Sequence, residues 1–183
     1  MSEGSEGKAT QDAIEFLKQM PAFEGVDEGG LRSLLAFCQE IEFPPDTAIV
    51  REGEEGDCVY LIKEGEVEIS MAITLKINPE ESGEQVGRDK VLVRLGPGNM
   101  FGEMAFIFDT DQRTATVMTL TPTRLMRLRS QDFSRFAQSD YQNAYRIIRN
   151  IAKIISGRLK KTNQDVVKLT TVLSLVLSKT PRI

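Results

Sequence analysis

Apolar residues first recur at helical spacing. Between Ala9 and Met20, the side chains of Ile14, Leu17 and Met20 fall on one face. Pro21 ends that run, because it lacks an N–H and clashes with the preceding turn. Phe23 and Val26 follow in a short turn with Gly25. Asp27 is suited to cap a second helix, in which Leu31, Leu34, Leu35 and Cys38 share a face. Both helices are expected to pack on a β core and to touch no ligand.

From Gln39 the pattern shortens to strands punctuated by Gly and Pro. Strands are predicted over Ile41–Phe43, Thr47–Arg51, Cys58–Lys63 and Glu66–Met71. In the last of these, Val67, Ile69 and Met71 alternate with Glu66, Glu68 and Ser70, which describes a strand with one wet face. Residues 72–90 interrupt the pattern. Asn78 to Gly83 reads as a solvated hairpin tip, either a surface insertion or an arm that contacts a partner. Val91–Leu95 resumes the sheet. Thr114–Leu120 and Arg124–Arg129 close it, joined at Thr121-Pro122-Thr123. Short strands with regular turn signals predict a sandwich, barrel or jelly roll.

Helical spacing returns at Ser130. Phe133 and Phe136 are expected to pack on the β core, and Ser139 or Asp140 can cap the next helix. Nothing stops that helix firmly before Pro181. Gly157 and Asn163 weaken it, by up to about 1 kcal/mol for Gly relative to Ala. Its apolar seam runs through Ile148, Ile151 or Ala152, Ile155, Leu159, Thr162, Val166, Leu169, Leu173 and Val176. After the second position the spacings alternate threes and fours, an a/d stripe of about four heptads. A helix of about 38 residues is roughly 57 Å long. A β domain of this size leaves part of it uncovered, so a symmetry-related helix is expected to cover the rest. The alternative is a break near Asn163 that folds the helix back. The predicted organisation is a disordered start over 1–8, a β domain with flanking helices over 9–138, and a long, dimerising helix over 139–180.

Composition narrows the function. The chain has 183 residues, 40% of them hydrophobic and 27% charged, as in ordinary globular proteins. A net charge of −4 argues against a large DNA-binding surface. No apolar run approaches the roughly 18 residues of a membrane span. The acidic N-terminus lacks the apolar region of a signal peptide, which suggests a cytoplasmic protein. Cys38 and Cys58 are expected to be reduced and buried. The absence of His removes His-based triads and His metal sites, and no zinc cluster is spelled out. The chain does not read as an enzyme, and no metal or cofactor is expected.

The remaining chemistry is concentrated in Phe101–Val117, F-G-E-M-A-F-I-F-D-T-D-Q-R-T-A-T-V. Gly102 permits a close backbone approach or a positive φ. Glu103 to Phe108 can make about one and a half helical turns, whose free N–H groups suit an anion, a phosphate above all. Asp109-Thr110-Asp111-Gln112 reads as a turn. It returns the chain so that the Arg113 fork and the Thr114 hydroxyl can meet the same anion. Glu103 can accept a sugar hydroxyl. Phosphate plus ribose hydroxyl specifies a nucleotide.

These residues resemble the phosphate-binding cassette of cyclic-nucleotide-binding domains, F-G-E-[LIM]-A-[LF] followed by R-[TSA]-A-[TW]. The Glu-to-Arg spacing is similar to that of the bacterial catabolite-activator branch. Gly53, Gly56 and Gly65 match turn glycines of that family's β-roll. The resemblance implies an α+β fold: a double-stranded β-helix, or jelly-roll-like β-roll, with N-terminal helices and a long C-terminal helix. It implies that Glu103 holds the ribose 2′-hydroxyl. Arg113 and Thr114, flanked by Ala115, would hold the cyclic phosphate, helped by backbone amides from Gly102 through Met104 to Ala105. Arg158-Leu159-Lys160-Lys161-Thr162-Asn163 resembles the branch's R-L-x-x-T-[SN] stretch, which makes Thr162 and Asn163 base-contact candidates, with Arg158 a weaker one. A polar break in a coiled coil is the alternative for those residues.

The implied ligand is cAMP, with cGMP the other possibility because Thr114 also suits it. Only 20 residues, Gln164–Ile183, follow Asn163, and they carry no basic cluster. The expectation is therefore a stand-alone, homodimeric cyclic-nucleotide sensor whose C-terminal helix moves on binding to regulate an unidentified protein partner. The alternative is a binding-silent relative that acts as a dimeric scaffold.

Overall fold

A computed structural model describes residues 3–74, 87–107 and 111–179. The chain opens with α1 (Glu3–Gln19), a 3₁₀ turn (Pro21–Phe23) and α2 (Glu28–Leu35). Strands β1 (Gln39–Phe43), β2 (Ala48–Val50), β3 (Glu55–Gly56), β4 (Cys58–Glu64), β5 (Val67–Thr74), β6 (Gly87–Leu95) and β7 (Met100–Phe101) lead to α3 (Glu103–Ile107). Then come β8 (Asp111–Gln112), β9 (Thr116–Thr119), β10 (Thr123–Arg129), α4 (Ser130–Ser139) and α5 (Tyr141–Lys179).

Two antiparallel four-stranded sheets, β1-β10-β4-β7 and β2-β9-β5-β6, form the roll, and β3 pairs with β8 beside them. The expected α+β roll with helices before and after it is what the chain adopts. Strand β4 shows why the two halves hold together. Cys58, Val59, Tyr60, Leu61 and Ile62 are all buried, because both faces of the strand are covered. Cys58, Tyr60 and Ile62 face the inner core with Val50, Val67, Val117 and Leu125. Val59 and Leu61 face the second core, with Met126 and Leu128 of β10 and the apolar faces of the helices. Ile14, Leu17, Leu31, Leu34 and Phe136 in that layer are fully buried.

Several boundaries differ from the expectation. Helix α1 begins at Glu3, so residues 3–8 are helical and not a disordered start. Extending an existing helix is easier than nucleating one. Strands β5 and β6 pair from Val67↔Leu95 out to Thr74↔Gly87, so sheet structure enters the presumed 72–90 interruption from both ends. The hairpin tip proposed at Asn78–Gly83 lies outside the described residues. Asp111 and Gln112 are strand and not turn: they pair with Gly56 and Glu55. Met71 is 38% exposed despite its alternation with Val67 and Ile69, because it borders an open cavity.

The long helix is continuous through Gly157 and Asn163 over 39 residues, and it does not fold back. Asp140 caps it by accepting the Asn143 N–H at 3.1 Å, while the Ser139 hydroxyl turns back to the Phe136 carbonyl. Its first half docks through buried Ala144, Ile147 and Ile151. Two buried amides fix the register. Asn143 donates to Asp27, the N-cap of α2, at 2.9 Å, and Asn150 donates to the Glu24 carbonyl at 2.8 Å. From Leu159 on, the large apolar residues of α5 are exposed. Among the described residues, no helix is long and apolar enough to cross a membrane. Both cysteines are free thiols. Burial, with a smaller contribution from Asp132, pushes the Cys38 thiol up to about 12, which makes it a poor nucleophile at neutral pH.

Candidate functional site: a buried cation beside an apolar cavity

The site is built on Arg113. Its backbone is pinned from both sides: its N–H donates to the Glu54 carbonyl at 2.7 Å, and its own carbonyl accepts the Gly53 N–H at 2.8 Å. The guanidinium then turns inward between two glycines. A Cβ on Gly56 would lie 2.0 Å from Arg113 Nε, and one on Gly102 would lie 2.8 Å from Nη1. Gly56 is therefore a close-approach glycine within a strand, not the turn glycine its sequence context suggested. Gly102 carries a second constraint, a φ of +82° that ordinary residues rarely adopt.

Gly56→Ala is expected to destabilise the fold by about 1–3 kcal/mol, because the added methyl has no space unless the guanidinium leaves. Urea denaturation reads this directly. An unchanged midpoint would mean that Arg113 vacates its place freely.

Only 7% of Arg113 is exposed. Its Nη1 donates to the Cys58 carbonyl at 3.1 Å, and its Nη2 lies 3.2 Å from the Cys58 thiol sulfur. Its Cζ stands 5.8 Å from the centre of the Tyr60 ring, which stacks on Phe101. Burial, aided by Cys58, pushes the Tyr60 phenol up to about 12, so the ring is neutral over the working pH range. The Nε of Arg113 has no hydrogen-bond partner, and among the described residues no carboxylate pairs with this side chain. A buried charge with neutral partners alone is held at a penalty of several kcal/mol, which an incoming anion relieves.

That cation borders a cavity of about 180 Å³. One wall is apolar: Val50, Ile69, Met71, Leu92 and Val117, contributed by β2, β5, β6 and β9. The opposite wall is the turn at Gly102 and the helix α3. The Phe106 N–H closes onto the Gly102 carbonyl at 3.2 Å, so the amides of Glu103, Met104 and Ala105 precede the first intrahelical bond. Glu103 is largely enclosed, and its carboxylate accepts Nη1 of Arg158 at 2.5 Å. Nη2 of Arg158 donates to the Met100 carbonyl at 2.8 Å. Through these contacts α5 is tied to the edge of the cavity. The Thr114 hydroxyl is exposed there, with the Met104 sulfur 3.9 Å away.

The structure brings together Gly102, Glu103, Met104, Ala105, Arg113, Thr114, Ala115 and Arg158 as lining of one cavity. It does not bring Thr162 or Asn163 there. The Thr162 hydroxyl donates to the Arg158 carbonyl one turn back, and Asn163 borders a groove on the outer face of α5 with Leu159 and Lys160. One turn of helix separates them from the cavity edge, a displacement that residue spacing alone does not reveal. Arg158, read as a base contact, instead grips Glu103. Gly56, Cys58 and Tyr60 were missed as site residues. Gly56 carried a signal, since a Gly inside a strand often marks close approach of another group. Cys58 and Tyr60 carried none, because their continuous apolar run is that of any strand covered on both faces.

Residues 40–140, more than half of the chain, match the cyclic nucleotide-binding domain family. A "CRP-like cAMP-activated global transcriptional regulator" of Mycobacterium tuberculosis is 30% identical over 155 residues, which are 85% of this chain and 62% of that protein. The chain thus spans under two thirds of that relative's length. A cyclic nucleotide-binding domain from Methylobacillus flagellatus superposes with a TM-score of 0.71 at 20% identity, over 88% of this chain and 84% of that one. The N-terminal domain of a Streptomyces coelicolor transcriptional regulator superposes with a TM-score of 0.63 at 28% identity, over 82% and 94% of the two chains. With a family model matched over more than half of its length, the chain belongs to the cyclic nucleotide-binding domain family.

Proposed function

We propose that the cavity takes a cyclic nucleotide, cAMP in preference to cGMP, and that the chain signals binding through α5. One observation carries this reading: Arg113 is a buried guanidinium with no counter-charge among the described residues, facing a cavity large enough to admit one. The cyclic phosphate lies against Arg113, the Thr114 hydroxyl and the first amides of α3. Glu103 accepts the ribose 2′-hydroxyl. The base lies against the apolar wall, and the preference for adenine rests on the cAMP-activated relative.

Arg158 is the coupling residue. It joins the Glu103 carboxylate and the Met100 carbonyl to α5, so a ligand that repositions Glu103 acts on the helix through one ion pair. The two arrangements differ in ligand affinity, and binding shifts their populations. The output is the position of α5, presented to a partner protein by a homodimer joined along the helix seam.

Calorimetric titration with cAMP and cGMP tests the ligand, and saturating cAMP should stabilise the fold by about 2.7 kcal/mol at a hundred times its Kd. No heat and no thermal shift with either nucleotide at millimolar concentration would refute the assignment. For the coupling, Arg158→Ala is expected to bind cAMP within about tenfold of the parent, one partly exposed ion-pair contact being worth about 1 kcal/mol. The same variant should lose the ligand-dependent change in amide hydrogen exchange over residues 150–165. A variant that still shows that change assigns the coupling to another contact.

A further inference from the structure

The second half of α5 changes character after Lys168. Between Arg158 and Lys168 the seam residues Leu159 and Val166 are flanked by charge: Arg158, Lys160, Lys161, Asp165 and Lys168. Between Leu169 and Ser178 there is no charged residue. Leu169, Val172, Leu173, Leu175, Val176 and Leu177 are each 57–65% exposed on the single chain. At 3.6 residues per turn these six side chains span an arc of about 200°, and Thr170, Thr171, Ser174 and Ser178 fill the remainder. A two-stranded seam occupies a narrow a/d stripe edged by charged residues. Here Leu169, Leu173 and Val176 continue that stripe, but Val172 and Leu177 extend it on both sides and Leu175 extends it further. One partner helix covers the stripe and leaves the flanks wet.

We propose that residues 169–177 form a four-helix bundle in which two α5 pairs join through their apolar flanks, so that the assembled protein is a dimer of dimers. The occupant is a further copy of the same segment. The seam spacing continues unbroken from Ile155 into this segment, so the copies already paired upstream arrive in register. Each pair then presents the same uncharged flanks, a self-complementary surface that closes when a second pair meets it. The absence of charge removes the rim that would confine the helix to two strands, and it leaves nothing to steer a charged partner. A lipid surface fits less well. In-plane membrane helices carry Lys and Arg on the polar face, whereas this face is Ser and Thr. The proposal rests on the α5 pairing given above.

Light scattering and sedimentation equilibrium of the full chain at about 10–100 μM test it, with the helical content of each variant checked by circular dichroism. The wild type is expected at four times the 20.5 kDa chain mass. The flank variant V172E/L177E is expected at twice that mass, and the seam variant L159E/L169E at the single-chain mass. All of these substitutions fall on exposed positions of α5, so the roll folds regardless, and V172E/L177E should bind cAMP within twofold of the parent. A wild type at twice the chain mass overturns the bundle and leaves the pair standing; a wild type at the single-chain mass overturns both. Co-sedimentation of the wild type, but not V172E/L177E, with phosphatidylcholine vesicles overturns the bundle in favour of a lipid surface. The cAMP titration is independent of all these outcomes, so failure of the assembly and failure of the ligand assignment are told apart.

Discussion

Arg113→Ala is expected to weaken cAMP binding by ten- to hundred-fold or more. A charge-assisted hydrogen bond contributes roughly 1.5–3 kcal/mol, and about 1.4 kcal/mol is a factor of ten in Kd. The effect on the unliganded fold should be opposite in kind. Removing this side chain removes a buried charge whose partners are a carbonyl, a thiol and a ring face. Folding stability in the absence of ligand should therefore change little or rise, since an uncompensated buried ion opposes folding. Arg113→Lys separates charge from shape: it keeps the cation but loses the planar fork, and should recover only part of the affinity. Calorimetry beside urea denaturation reads both quantities. Equal affinity of Arg113→Ala and parent would remove Arg113 from the phosphate site. Lost binding together with an unfolded chain would assign it a structural role instead.

Phe136→Ala is expected to lower unfolding stability by about 3–5 kcal/mol, as for other fully buried large-to-small changes. Phe136 is fully buried among residues of the helical layer and β10, with the Phe133 ring 5.9 Å away. Its carbonyl also accepts from the Ser139 hydroxyl and the Asp140 N–H, where α4 gives way to α5. The cavity left by truncation would open at the junction that orients the long helix. The urea midpoint should fall with an unchanged slope, because the surface exposed on unfolding is nearly the same. A loss below about 1 kcal/mol would mean that the layer collapses around the gap, and that this junction is softer than its packing indicates.

The site was legible in its chemistry and not in its neighbours. Glu103, Arg113 and Thr114 could be named because phosphate and ribose demand a cation and an acceptor, and their spacing matches a known cassette. The cradle around Arg113 could not. Gly56 lies 57 residues before Arg113 in the chain, and only the pairing of β3 with β8 places the two in contact. Arg158 shows the same limit. Its grip on Glu103 depends on where α5 leaves the roll, which Asn143 and Asn150 set by anchoring the helix to Asp27 and Glu24.

Local regularities, by contrast, were readable from the residues themselves. The period of Ile14, Leu17 and Met20, the Asp27 cap, the strand punctuation and the a/d seam of α5 each depend on neighbours within a few positions, so composition and spacing were enough to specify the helices and most strands. Two-residue strands escaped notice, since two residues carry no period. What the tertiary structure alone decided was which distant groups meet: a guanidinium enclosed by two glycines, and a carboxylate held from the far helix. Side-chain pattern records which face is buried. Only the closed path of the chain determines what that face is buried against.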